Sequence, residues 1–537
     1  MIRQEIIKSI EKATGKKNIR LERSENPEHG DYSTSIALKL KKNPQEIIKK
    51  LLSAQAEKSP LFERVEAAGP GFINFYLSEK YILKELAKAQ KDLSLTNPAW
   101  KGKKVAVEFT DPNPFKVFHI GHLYTNTVGE TICRLLEASG AKVKRINYQG
   151  DVGLHVAKAV WALKLSYPLE RAYATGNSAF ETDPVAKKEI EGLNKKIYER
   201  SDPAVNKIYD RGRAQSLAAF EKIYKRLGTK FDFYYFESEI GKIGKKIVEE
   251  GRKKGVFEKS EGAIVFPGEK YGLHKRVFIT SEGLPTYETK ELGLAPIKYK
   301  GFKYDLSIIV TGSEIIDYFK VLIAALKKIY PKLGQRTMHL AHGMLLLKSG
   351  KMSSRKGNIV RTEDLLNQVK QMALQRSKNE EIAEKVALAA VKYSLLRVGL
   401  GKDIIFDAVG SLSLEGDTGP YLQYTHARFK SILRQPGVEL KKLPASVKMS
   451  QLERRLAVAL LRFAEAIQDA ASSFSPNVLA NYLHNTAMLA NEFYHSHPVT
   501  QEKDNAKKQL RVGLVKAIAA TLQKGLSILG IFAPEKM

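Results

Sequence analysis

Two short stretches carry side chains suited to phosphate chemistry. His119-Ile120-Gly121-His122 sets two imidazoles three residues apart around a glycine. It follows an apolar run, KVAVEF (104–109), and a proline-rich loop, TDPNPFK (110–116), and it opens a helical pattern. The first turn of a helix already offers unpaired backbone N–H groups, and imidazole N–H groups add donors for a nucleotide's phosphates. A glycine there lets a base approach the backbone. Zinc suits this pair poorly, because cysteine or carboxylate ligands at the right spacing are missing nearby. The second stretch, Lys351-Met352-Ser353-Ser354-Arg355-Lys356-Gly357, is basic and hydroxyl-bearing. Such a loop can close on a triphosphate and take up charge developing on a leaving pyrophosphate. Taken singly, the first stretch also suits a surface turn and the second a solvated basic loop.

Both stretches need elements that position them. The strand at 104–109 leads through its loop to a helix from about Gly121 to Ser139, then to a strand, KVKRINYQ (142–149), that ends in Gly150-Asp151. Strand, helix, strand opens a βαβ unit and predicts a parallel sheet. Residues 155–225 are mostly helical and highly charged and read as an insertion. Strand signals return at GAIVF (262–266), KRVFIT (275–280) and LSIIVTG (306–312), a helix follows at 316–329, and HLAHGMLLL (339–347) reads as strand then turn. Upstream, residues 1–95 form a small α/β unit. Its signals are helical spacing over Ile2–Ile10, a helix opened by Pro44, and a strand–turn–strand at VEAAGPGFINFYLS (65–78). Downstream, the apolar residues from 381 to the end recur at helical period. The expected fold class is α/β: a Rossmann-type parallel-sheet catalytic core at 96–380, an N-terminal α/β domain at 1–95 and an all-α domain at 381–537.

Composition narrows the partners. Lys and Arg total 88 against 58 acidic residues in 537, a formal charge of +30. That excess favours a polyanion, and its spread along the chain favours nucleic acid over a membrane surface. Cys133 is alone, so neither an intrachain disulfide nor a cysteine zinc site is expected. No run of 18 apolar residues suggests a membrane span and the first residues lack a secretory h-region, so the cytoplasm is the expected compartment.

The two motifs in this order, about a Rossmann domain apart, resemble the signature pair of class I aminoacyl-tRNA synthetases. Further stretches resemble the arginyl branch: EFTDPNPFKVFHIGHL (108–123), TYETKEL (286–292), EGDTGPYLQYTHAR (415–428) and GLSILGIFAPEKM (525–537). At the N-terminus, HGDYSTSIAL (29–38) and AAGPGFINF (67–75) resemble the appended domain that arginyl enzymes set on the tRNA elbow. The resemblance covers nearly the whole chain. It implies an arginine–tRNA ligase with ATP, Mg²⁺, arginine and tRNA(Arg) as its small and large partners. It also implies a first step that needs bound tRNA, and an anticodon-binding C-terminal domain. A monomer without a membrane partner is expected, and no protein metal ligand is evident.

By the same resemblance His119, His122 and Lys351 are catalytic. Lys116, His119, Gly121, His122, Met352, Ser353, Ser354, Arg355 and Lys356 hold ATP. Glu108, Asn113, His119, Tyr287 and Glu291 hold arginine. A planar guanidinium with five donors asks for carboxylates and tolerates an aromatic face, which fits this set. Tyr421, Tyr424, Asn485 and Arg511 are the tRNA-contact residues expected in the C-terminal helices, where core packing is the alternative role. The chain departs from the family's pattern in places. Ser354 stands for the second lysine of the basic loop, Asp111 for a serine and Glu291 for an aspartate. Ile315 stands where a glutamine contacting the amino acid is expected. Two other readings stay open: a small-molecule nucleotidyltransferase, and a tRNA-binding paralogue without catalysis.

Overall fold

The computed structural model describes residues 1–24, 26–53, 60–91, 95, 97–348 and 360–537. They form two units, Asn97–Leu412 and Met1–Thr96 with Ser413–Met537. The first is built on strands β1 (Lys104–Glu108), β2 (Lys142–Gln149), β3 (Phe233–Phe236), β4 (Leu306–Gly312) and β5 (Thr337–His342). All neighbours pair parallel, in the order β5-β4-β1-β2-β3. Helices cover both faces of such a sheet, so its strands read as continuous apolar runs; Val105, Ala106 and Val107 of β1 are fully buried. The chain winds outward from β1 in one direction through β2 and β3, then returns to the other side of β1 with β4 and β5. Doubly wound sheets take ligands at the carboxyl ends of the strands where that reversal occurs, here beside β1 and β4.

Five helices frame that edge: α1 (Ile120–Ala138), α2 (Glu237–Lys253), α3 (Tyr287–Gly301), α4 (Ile316–Ile329) and α5 (Glu380–Leu396). The charged stretch between β2 and β3 is helical, as the sequence predicts, with four helices from Leu154–Lys164 to Pro203–Leu227. Asp183 and Asp202 cap two of these, each followed by proline at the first turn. Ala157, Val160, Ile190 and Ile197 give the insertion its own core. The signals at 262–266 and 275–280 become Ala263–Phe266 and Arg276–Ile279 of a separate antiparallel sheet.

Helix α5 packs on α1 and on helix Thr362–Leu374, burying Ala383, Ala387, Ala390 and Val391. It therefore belongs with the parallel sheet, although its apolar period alone grouped residues from 381 onward with the C-terminal helices.

The second unit joins the two ends of the chain. A four-stranded antiparallel sheet and three longer helices come from residues 1–91, and five long helices run from Gly419–Leu433 to Asn505–Ile528. Arg3 bonds Asp469 through both terminal nitrogens at 2.7 Å. Arg454 grips Asp31 at 3.0 and 2.7 Å, and the buried Tyr32 hydroxyl donates to Glu465 at 3.0 Å. The N-terminal α/β part and the C-terminal helices thus pack together in one compact unit. Among the described residues no helix is long and apolar enough to cross a membrane.

Candidate active site

The loop from β1 to α1 is built under strain. Thr110, Asp111 and Phe115 have φ of 80°, 44° and 68°, a region that β-branched and bulky residues avoid. Side-chain bonds hold it there. Asn126 Nδ2 donates to Thr110 Oγ1 at 3.0 Å, Tyr148 N to Asp111 Oδ1 at 2.8 Å, and Gly150 N to Asn113 Oδ1 at 3.0 Å. Asn113 is thereby fixed to the end of β2 at the reversal point.

His119 is the N-cap of α1. Its Nδ1 accepts from Gly121 N at 3.1 Å, and His122 Nδ1 accepts from His119 N at 3.2 Å. The rings stack with centroids 3.7 Å apart. A ring nitrogen that accepts carries no proton, so both neutral rings hold their hydrogen on Nε2. Burial, with help from Lys116, lowers His119 to about 4 and His122 well below its usual value. Both stay neutral at physiological pH and keep an Nε2–H donor each. Gly121 serves this arrangement differently from the sequence expectation. A Cβ there would lie 2.9 Å from the His119 ring, so the glycine makes room for the imidazole. Lys116 is half-buried with its ammonium 4.7 Å from the Tyr173 ring, and burial lowers its pKa.

The basic motif residues Lys351, Met352, Ser353, Ser354, Arg355 and Lys356 lie outside the described residues. Their flank is located: Ile120 N donates to Val360 O at 3.2 Å and Thr362 N to Phe118 O at 3.0 Å, which ties residues 360–362 to the first turn of α1.

Glu108, Asp111 and Glu237 gather around Glu291. Glu108, at the end of β1, is 2% exposed and meets Lys298 Nζ at 2.5 Å. The sequence expected Glu108 to face the ligand directly; its charge is already matched by a lysine of α3. Lys298 sits seven residues after Glu291, on the same helix face, and that spacing could have revealed it. Glu291 makes no ion pair among the described residues, and burial together with Glu108 pushes its carboxyl well above the usual range. Asp111 is raised in the same way. Tyr287, one turn before Glu291, is 54% exposed with the Lys290 ammonium 4.6 Å from its ring, and Lys290 pairs with Glu237. Ile315 is half-buried and packs against the apolar cluster that includes Ile309 of β4. Two further histidines escaped the sequence reading. His339 bonds Thr311 Oγ1 at 2.7 Å, and His342 bonds Thr125 Oγ1 of α1 at 2.7 Å, both near the carboxyl end of the sheet.

In the other unit the expected contact residues separate. Tyr424 lines a cleft of about 660 Å³ with Arg428, Arg434, Tyr494 and Lys536, and Arg428 lies 4.7 Å from both tyrosine rings. Tyr421 is half-buried, its hydroxyl accepting from Asn491 at 2.9 Å. Asn485 is exposed on a different cleft, of about 950 Å³, with Arg23, Arg455 and Tyr482. Arg511 is turned inward: 8% exposed, it bonds Glu453 at 2.8 Å and the Pro498 carbonyl at 2.8 Å, and pairs with Glu502 at 2.7 Å. Its guanidinium is committed to packing these helices and offers nothing to a nucleic acid.

Three family descriptions match the chain in tandem. Residues 1–77 match the arginyl tRNA synthetase N terminal domain, 85–408 the class I (R) tRNA synthetase catalytic domain, and 422–537 the DALR anticodon binding domain. An arginine–tRNA ligase of Clostridium perfringens is 31% identical over 542 residues, covering 95% of this chain and 94% of its own. One from Flavobacterium psychrophilum is 31% identical, covering 87% and 85%. Among solved structures, the Thermus thermophilus arginyl-tRNA synthetase superposes with a TM-score of 0.78 at 26% identity, with both chains covered in full. The Plasmodium falciparum enzyme shares the fold, with a TM-score of 0.81 at 20% identity and coverage of 100% and 99%.

Proposed function

The chain belongs to the arginyl-tRNA synthetase family, and on that premise we propose how its own residues join arginine to tRNA(Arg) at the expense of ATP. The observation that supports this reading is that the loop leaving β1 leads to an imidazole-bearing helix start while the end of β1 brings Glu108 to a cluster of buried carboxylates around Glu291. The first suits phosphate and the second suits a guanidinium.

In the first step the arginine carboxylate attacks the α-phosphorus of ATP, and pyrophosphate leaves. His119 and His122 donate Nε2–H to phosphate oxygens as negative charge shifts onto them. Being neutral and already oriented by their Nδ1 bonds, they need no rearrangement to do so. Glu291 takes the guanidinium. Burial and Glu108 raise its carboxyl above the usual range, so an arriving cation is what favours its charged form. Glu108 with Lys298 forms the neutral floor, and Tyr287 offers its ring at the entrance. Asn113 orients the α-amino group. In the second step the terminal ribose hydroxyl of tRNA attacks the activated carbonyl and AMP departs. Positioning and charge stabilisation supply the catalysis, with no protein nucleophile.

Mg²⁺ would accompany the triphosphate. The donors at the phosphate end are imidazoles and lysine, which suit phosphate oxygens and not a hard dication, so the phosphates would hold the ion. The basic segment 351–356 would neutralise pyrophosphate. The first 95 residues would meet the elbow of tRNA, with Tyr421, Tyr424 and Arg428 among the groups set for unpaired anticodon bases and Asn485 on a separate contact. The working form is taken as a cytoplasmic monomer.

The test is aminoacylation of bulk tRNA with each of the twenty amino acids, with ATP and Mg²⁺ present. Charging with arginine alone is expected. Charging with another amino acid would discard the arginine assignment, and tRNA binding without any charging would favour a silent paralogue.

A further inference from the structure

The family pattern expects a glutamine side chain at Ile315, and Ile315 is packed into an apolar cluster. A guanidinium has five N–H donors, and Glu291 alone does not satisfy them. Near Glu291 stands a polar group whose role nothing above assigns, the phenol of Tyr148.

Its position follows from strand register. Glu108 of β1 pairs with Ile146 of β2, so the two share a face of the sheet. Tyr148, two residues further, emerges on that same face at the carboxyl end. Across from it Tyr235 of β3 is its paired residue. Tyr148 packs against Ile240 of α2 and Leu294 of α3, with Tyr235 and Ile297 beside them. Ile240 is one turn after Glu237, and Leu294 one turn after Glu291. The ring therefore stands between the two helices that carry these acids. Only 8% of the residue is exposed, and its hydroxyl oxygen is buried with no hydrogen-bond partner. A buried hydroxyl left unpaired is costly, and the great majority of such groups in folded proteins find partners. Its neighbours are acids: burial first, then Glu237 and Glu291, push the phenol well above its ordinary value. It stays a hydroxyl at any working pH, able to accept one hydrogen bond while donating another.

We infer that Tyr148 is a specificity-determining residue for the amino-acid substrate, its hydroxyl oxygen accepting an N–H from the guanidinium of arginine in place of the missing glutamine contact. This rests on the arginine reading of the pocket. The phenol's own hydrogen is then free for Glu291 or Glu237, the acids nearest to it. A guanidinium can only donate, so a pocket for it needs acceptors, and a neutral acceptor adds a contact without adding a further buried charge.

The experiment is Tyr148→Phe in the full-length protein, which removes one oxygen and keeps the ring packing. Arginine KM, ATP KM and kcat are measured in tRNA charging, with the melting temperature alongside. The arginine KM is expected to rise roughly ten- to a hundredfold, the range for a hydrogen bond to a charged group. ATP KM is expected to hold and kcat to change little, the pattern of lost uniform binding. The melting temperature is expected to hold or rise, because no bond within the empty protein is lost. A merely structural tyrosine would give a lower melting temperature with arginine KM unchanged. An arginine KM within twofold of wild type, or a change confined to kcat, overturns the inference while wild-type charging with arginine keeps the family reading. Failure of the wild-type protein itself to charge with arginine overturns both.

Discussion

The two motif histidines show how local bonding prepares a side chain for its task. Each gives its Nδ1 to a backbone N–H, which leaves Nε2–H as the outward donor, and burial keeps the rings uncharged. The spacing of His119 and His122 announced two donors at a helix start. The tautomer, and the glycine's service to the His119 ring, needed the backbone geometry. The carboxylates divide less predictably. Two acids looked equivalent in the sequence, yet Glu108 is matched by Lys298 at 2.5 Å and Glu291 has no ion pair among the described residues. Glu291→Gln should therefore raise the arginine KM by roughly ten- to a hundredfold, the range for a charge-assisted hydrogen bond, while ATP KM stays put. Steady-state charging kinetics decide it, and an unchanged arginine KM would remove Glu291 from the pocket.

At the scale of elements, the site depends on two helices lying unusually close. Gly244 of α2 faces the backbone of α3, where an added Cβ would sit 2.0 Å from the Thr289 carbonyl oxygen. Thr289 lies between Tyr287 and Glu291, so the contact sets the height of the pocket wall. Gly244→Ala should cost about 1–3 kcal/mol of stability, as overpacking does, and raise the arginine KM as α3 shifts. Denaturant melts with arginine titrations check this, and a variant as stable as wild type would mean that the helices can part freely. The long helix α1 was legible within a residue because its apolar periodicity runs over many turns. β3 was not: Phe233–Phe236 is four residues at the sheet edge, with no fully buried position, too short for alternation to register. α5 showed its helical period but not its partner, since a period says that a face is buried and not what buries it.

For the whole molecule, the charge of +30 pointed to a polyanion, and an anticodon-binding family description over 422–537 agrees with that. Stability carries a second electrostatic signature. In the unit Asn97–Leu412, His119, His122, His155, His339 and His342 are all lowered by burial. The unfolded chain takes up their protons near pH 6.5 while the folded chain refuses them, so stability falls as pH drops from about 6.5 toward 4. Asp111, Glu237 and Glu291 are raised, and their cost eases over the same range. Within this unit five lowered histidines oppose three raised carboxyls, so the melting temperature should fall between pH 7 and pH 4.5. A flat or rising profile would mean that the carboxyls outweigh the histidines.

The sequence by itself determined the reaction class and the order of the parts, and it singled out the histidine pair that opens α1. Motif chemistry and periodicity are local, and local patterns survive in a linear string. Tertiary structure alone decided that Glu108 is neutralised by Lys298, that Arg511 is spent on Glu453 and Glu502, and that the hydroxyl of Tyr148 is buried without a hydrogen-bond partner. It also decided that the two ends of the chain pack together in one compact unit through pairs such as Arg454 with Asp31. Each of these depends on which groups meet across long stretches of chain, and a charge or hydroxyl acquires its role only when burial removes water and leaves its neighbours as the sole partners.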